Sequence, residues 1–254
     1  MNQVLEHKTV KWPDLPEDIP PAYGLSTRSE FRTKQVYTLF LASQGFSLSV
    51  EIYTLLAWLF DRKARNSAFG RALNSLVDLE LLTKDVIKIG GLRANLSLVH
   101  LTKRGRKICH AFGWAPYESE WERMKRLHEK GKREPKHTCA TLAFAYHARL
   151  RGYRAGVMPA LETSGQFKPD AVVFEEGEPV LVEVELDYGK TFKWRNSAEH
   201  QGFAALCTPS APHRNALKRE CQTINVPGRA TDLRTLFLAS RDDPPCPLWL
   251  DQWK

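Results

Sequence analysis

Two short apolar runs separated by a turn constrain this chain more than any other feature. Ala171-Val172-Val173-Phe174 and Val180-Leu181-Val182-Glu183-Val184-Glu185-Leu186-Asp187 flank Glu175-Glu176-Gly177-Glu178-Pro179. Runs rich in β-branched residues, bounded by a segment bearing Gly and Pro, predict two adjacent strands. At a period of two, Glu183, Glu185 and Asp187 share one face, and Val182, Val184 and Leu186 take the other. Asp170, preceded by Pro169, stands at the entry to the first strand and can approach Glu183 across the pair. Carboxylates that converge in this way can hold a hard divalent cation through oxygen, with water and a substrate phosphate completing its shell. The plainer alternative is a sheet with one wetted face, and residues 175–178 read as a solvated turn.

The 254 residues are enough for about two domains, and 43% hydrophobic with 26% charged residues is a globular composition. The net charge of +8 is unevenly placed. Residues 1–26 hold 2 basic and 4 acidic side chains, residues 27–137 hold 21 and 11, and residues 138–254 hold 14 and 14. An excess of Lys and Arg confined to one domain suits a phosphate backbone, so double-stranded DNA is the expected partner of the middle segment. The longest mainly apolar run, residues 52–60, is half the ~20 residues a bilayer span needs. The first residues lack the order of a signal peptide, so the expected setting is cytoplasmic, with no membrane partner. Five cysteines without CxxC spacing, and histidines without HExxH spacing, point away from zinc. A GxxxxGK[ST] loop is missing, which argues against a self-powered ATPase or helicase.

Four prolines between Pro13 and Pro21 predict an extended arm over 1–26. From Ser29 the spacing turns helical: Phe31, Val36, Leu39 and Phe40 until Gly45, then Ile52, Leu55, Leu56 and Leu59 after Ser47 and Ser49 as caps. A third helix over 65–82 carries Phe69, Leu73, Leu76 and Leu79 or Leu82 inward. A hairpin follows through Val86-Ile87-Lys88-Ile89, Gly90-Gly91 and the alternating Leu92 to Leu98, and Thr102 caps the next helix. This order over 27–113 resembles a winged helix-turn-helix, and Leu101-Thr102-Lys103-Arg104-Gly105 resembles the strand-to-helix junction of such domains. The resemblance makes 65–82 the recognition helix and 88–95 the wing tip. Arg65, Arg71 and Asn74 are then the base-reading candidates, with Lys88, Arg93, Lys103 and Arg104 on phosphate. Such domains also serve as protein-docking modules.

Residues 114–137 are dense in charge, with Trp121, Met124 and Leu127 spaced three apart, and predict a connecting helix ending at Gly131 and Pro135. The second domain, 138–254, opens on a helical pattern through Leu142, Phe144, Ala145, Ala148 and Leu150, with a short strand at 153–159. Its Pro169-Asp170 pair and the acidic strand after it resemble the PD-(D/E)xK nuclease superfamily, where Pro-Asp begins one strand and an acidic-x-Lys triplet lies on the next. The expected fold class is therefore α+β or α/β, a winged helix-turn-helix followed by a restriction-endonuclease-like domain. The resemblance assigns Asp170, Glu183 and Glu185 to catalysis and Asp170, Glu183 and Glu162 to a Mg2+ or Mn2+ ion. Glu185 stands where Lys is expected, so Lys190 or Lys193 must supply the cation; Lys190 is the candidate taken here. Gln201 matches a polar position on the following helix.

The strand Glu183-Val184-Glu185-Leu186-Asp187-Tyr188-Gly189-Lys190-Thr191, then Ala205-Leu206-Cys207-Thr208-Pro209-Ser210 with His213-Arg214, and a late strand at Thr235-Leu236-Phe237-Leu238-Ala239 complete a closer likeness. Together they resemble the replication-relaxation protein family of plasmids and other mobile elements over about residues 27–250. That resemblance implies a DNA-binding accessory or regulatory protein in replication, DNA topology or element maintenance, with replication, mobilisation or transposition proteins as partners. A metal-dependent endonuclease or nickase targeted by the winged helix, and a protein-docking scaffold, are the other readings.

Overall fold

A computed structural model describes residues 10–64, 66–92, 95–128, 135–157, 168–188, 191–239 and 245–254. The chain is mixed α/β and divides into two compact units: Lys11–Ile87 with Leu96–Lys132, and Arg133–Lys254, with which Lys88–Asn95 groups.

The first unit runs α1 (Ser29–Ser43), α2 (Ser49–Leu59), α3 (Ser67–Asp78), β1 (Leu82–Ile87), β2 (Leu96–Leu101), α4 (Lys103–Ala111) and α5 (Glu120–His128). Strands β1 and β2 pair antiparallel from Leu82 against Leu101 to Ile87 against Leu96. Its core gathers Val36, Leu39, Ile52, Leu56, Phe69, Leu73, Leu76 and Leu98, all fully buried. Helix α3 ends earlier than the hydrophobic spacing predicts, and Leu82 opens β1 instead. Glu80 takes a left-handed φ of 57°. The amides of Glu80 and Leu81 return to the carbonyls of Val77 and Leu76. This is a Schellman closure with glutamate where glycine is usual.

Thr102 caps α4 as expected, accepting from the Gly105 amide at 3.0 Å while its hydroxyl donates to the Glu80 carbonyl at 2.6 Å. A Cβ at Gly105 would overlap the Leu81 carbonyl, so glycine there lets α4 lie on that backbone. Ser47 and Ser49 are not caps: the Ser47 hydroxyl accepts from the Trp121 amide and that of Ser49 donates to the Ser97 carbonyl. Trp121 and Met124 on α5 are buried. Pro135, expected to end that charged helix, instead begins the next one, where a missing N–H costs nothing.

The second unit runs α6 (Pro135–Leu150), β3 (Arg154–Val157), β4 (Ala171–Glu175), β5 (Glu178–Val184), α7 (Thr191–Gln201), β6 (Ala204–Thr208), α8 (Ala211–Thr223), β7 (Gly228–Asp232), α9 (Leu233–Ala239) and β8 (Asp251–Trp253). Among the described residues these strands form one sheet in sequence order: β3, β4 and β5 antiparallel, β5, β6 and β7 parallel, and β8 antiparallel at the edge. Parallel neighbours need crossovers, which α7 and α8 supply. Trp194 of α7 and Leu217 and Cys221 of α8 pack on Ala204, Leu206 and Ala230 of the sheet. Helix α6 packs along β3, β4 and β5 and is buried from Thr138 to Arg149.

Strands β4 and β5 meet through Glu176 and Gly177, both at positive φ (50° and 95°), the two-residue turn that matches strand twist. That segment is not wholly solvated, because Glu175 accepts from Arg229 Nη1 and from Trp249 Nε1. Residues 235–239 belong to helix α9 rather than the expected strand. The reason is local: Asp232 Oδ1 accepts from the Thr235 amide at 2.8 Å and caps a helical turn.

Candidate functional site

The carboxylates come together where β4 begins and β5 ends. Asp170 directly precedes β4; its amide donates to the Val182 carbonyl at 3.0 Å, and its Oδ2 accepts from the Val184 amide at 3.0 Å. The β4–β5 register, Ala171 against Val182, continues by one position to set Asp170 beside Glu183. Glu185 follows β5; its amide donates to the Cys207 carbonyl on β6 at 2.9 Å. Its Oε1 accepts from the Leu186 and Asp187 amides at 3.1 Å each, so the chain folds around the carboxylate and the strand alternation stops. Asp187 therefore leaves the acidic face and is exposed.

Asp170, Glu183 and Glu185 are exposed by only 0%, 3% and 2%, which excludes a wetted face. Lys193, the third residue of α7, places Nζ 3.0 Å from Glu185 Oε2 and 3.4 Å from Glu183 Oε2. Burial opposes its charge, but Glu183, Glu185 and Asp170 outweigh that and hold its pKa above the ordinary lysine value. His137 of α6 completes the surroundings: Nε2 is 2.8 Å from the Val184 carbonyl and 3.2 Å from Asp170 Oδ2. A carbonyl only accepts, so Nε2 carries a proton there. Desolvated carboxylates cost several kcal/mol each unless paired, and such arrangements concentrate at functional sites.

Asp170 and Glu183 offer hard oxygen donors of the kind Mg2+ and Mn2+ prefer. Among the described residues, no three acidic, histidine or cysteine side chains are grouped as a metal cluster. Glu162 and Lys190, assigned to metal and charge stabilisation from the sequence, lie outside the described residues. Gln201 takes a structural position, its amide bonding both the N–H and the C=O of Leu181 at 2.9 and 2.8 Å, where the β5–β6 ladder has ended.

In the first unit, Arg71 and Asn74 are exposed on α3, opposite the buried Phe69, Leu73 and Leu76. Asn74 Oδ1 accepts from Lys84 Nζ at 3.1 Å. Lys103 is exposed, as is Arg104, although its Nη1 donates to the Leu79 carbonyl at 3.0 Å, and so is Lys88, in the segment that groups with the second unit. Arg65 and Arg93 lie outside the described residues. Sequence reasoning missed His137, which falls one residue before the expected start of the second domain. A lone histidine at a helix start carries no local signal.

No family model matches the chain, and no curated protein matches it. Among solved structures, that of the restriction endonuclease FokI aligns with 85% of this chain and 44% of its own, at 16% identity and a TM-score of 0.31. The structure of FokI bound to DNA aligns with 84% and 45%, at 16% identity and a TM-score of 0.26. The chain spans less than half the length of either. No helix among the described residues is long and apolar enough to cross a membrane.

Proposed function

We infer that this chain is a DNA-binding protein whose second unit hydrolyses phosphodiester bonds with a divalent metal. The observation that carries the reading is the burial of Asp170, Glu183 and Glu185 around the β4–β5 junction with Lys193 paired to two of them. These are the strand positions that the PD-(D/E)xK resemblance assigns to catalysis. Asp170 and Glu183 would hold the Mg2+ or Mn2+, with Glu162 as the further acidic ligand that the resemblance assigns. The ion, when bound, polarises the phosphoryl group and acidifies a water. Glu185 would serve as the general base. Lys193 takes the role of the missing triplet lysine, an ammonium beside the scissile phosphate, with Lys190 as the other candidate. Residues 27–113, read as a winged helix, present Arg71 and Asn74 to base edges and Lys88 and Lys103 to phosphates, with Arg65, Arg93 and Arg104 as the remaining candidates. Work on the DNA of a plasmid or other mobile element is the finer reading, supported by the replication-relaxation resemblance.

A second reading rests on the same ion pair. Lys193 pairs with both Glu183 and Glu185 and offsets one of their two charges, an arrangement that also suits an accessory protein that binds DNA and does not cut it. Incubation of supercoiled plasmid with the protein, with Mg2+, Mn2+ or chelator, separates the two on a topology gel. Nicked circles in metal and none in chelator support hydrolysis. Intact supercoils in both metals, with salt-dependent binding retained, assign the accessory role.

A further inference from the structure

Two aromatic side chains close in sequence to Glu185 and Lys193 stand in solvent. Tyr188 is 57% exposed and Phe192 62%, and the only other large apolar side chain so exposed among the described residues of the second unit is Leu238. Tyr188 follows the turn that wraps the Glu185 carboxylate, and Phe192 directly precedes Lys193. Tyr188 is held in place: its ring stacks on that of His213 with centroids 4.0 Å apart and planes 10° from parallel. His213 is in turn fixed by donating from Nε2 to the Asp187 carbonyl at 3.0 Å. Arg195, exposed one turn after Phe192 on α7, adds a cation on the same side of the helix.

We propose that these rings are a stacking platform for unpaired nucleobases, so that the substrate of the second unit is DNA carrying a single-stranded arm or flap. This rests on the nucleic-acid reading above and names its substrate class. An exposed ring costs free energy in water and recovers it by covering another flat apolar face. Bases inside a duplex are already covered on both sides, whereas an unpaired base has a bare face for a ring to cover. Tyr188 is already immobilised by His213 and loses little side-chain freedom on binding. Arg195 pairs with backbone phosphate. The rings flank Glu185 and Lys193 in sequence, so a strand stacked there passes beside the carboxylates.

The test uses the full chain, in chelator, with two probes: a blunt duplex, and the same duplex bearing a single-stranded arm of about ten nucleotides with 2-aminopurine in the arm. Stacking changes the fluorescence of that base. The platform requires a saturable signal with the armed probe. It also requires roughly tenfold weaker arm binding in Tyr188→Ala and in Phe192→Ala, recovery in Tyr188→Phe, and unchanged affinity for the blunt duplex. Equal signals from the unmodified protein and both alanine variants overturn it and leave the rings to a protein partner. Because the readout needs no cleavage, the two ideas fail separately. Arm stacking without nicking keeps the platform and removes the nuclease, whereas nicking without arm stacking does the reverse.

Discussion

Lys193 and Glu185 form an ion pair of 3.0 Å between the first turn of α7 and the end of β5, and the Glu185 carboxylate is tied on its other oxygen by two backbone amides. The pair ties the start of α7 to the residue that follows β5. Lys193→Gln leaves Glu183 and Glu185 buried without that cation. Loss of a fully buried partner costs about 3–5 kcal/mol. Lys193 retains 24% side-chain exposure and is screened accordingly, so the expected cost is about 1–3 kcal/mol at neutral pH. Urea denaturation measures it, and Mn2+ should restore part of the loss if it replaces the ammonium between the carboxylates. An unchanged midpoint would show that the pair contributes nothing.

Gly105→Ala should destabilise the first unit by about 1–3 kcal/mol, because the new methyl meets the Leu81 carbonyl and α4 must move off it. Thr102→Ala should cost about 1 kcal/mol through the lost cap. Thermal melts of both variants check the order, with the glycine change expected to cost as much or more.

Legibility in the sequence followed how local the determinants are. The β4–turn–β5 hairpin, its carboxylates and the Thr102 cap could be read because period-two alternation, a turn glycine and a capping hydroxyl all act within a few residues. The end of α3 could not, since Glu80 occupies the left-handed position without glycine to announce it. Residues 235–239 have the apolar content of a strand, and only the Asp232 cap makes them helical. Glu183 and Glu185 could be placed on one face, but their burial could not, because the sheet and helices that cover them come from distant parts of the chain.

His147 provides a pH signature. It is fully buried on α6, its Nε2 has no hydrogen-bond partner among the described residues, and its ring meets Phe237 edge to face at 4.3 Å. Burial first, and Arg151 second, hold its pKa well below 6.5. The folded state therefore binds fewer protons than the unfolded one as pH falls below 6.5, and stability falls with it by up to about 1.4 kcal/mol per pH unit. His147→Phe should flatten that part of the stability profile between pH 7.5 and 5.5; an unchanged slope would assign it to other groups.

DNA binding by residues 27–113 should divide them by role. Lys88→Ala and Lys103→Ala should weaken all sequences alike and lower the salt slope by about one for each lost phosphate contact. Arg71→Ala and Asn74→Ala should cost about 1–3 kcal/mol on a preferred sequence and much less on others. Arg104→Ala should also lower stability, because its guanidinium holds the Leu79 carbonyl. Fluorescence anisotropy over a salt series reads all of these.

Asp170→Asn and Glu183→Gln decide whether these carboxylates carry the chemistry, in a single-turnover assay of supercoiled plasmid nicking with saturating Mg2+ or Mn2+. The unmodified protein should nick slowly and only with metal, and each substitution should abolish nicking while leaving duplex affinity intact. Lys193→Gln should slow nicking by about 100-fold or more, on the scale of losing one charge-stabilising group. Nicking that survives both Asp170→Asn and Glu183→Gln would place the chemistry elsewhere.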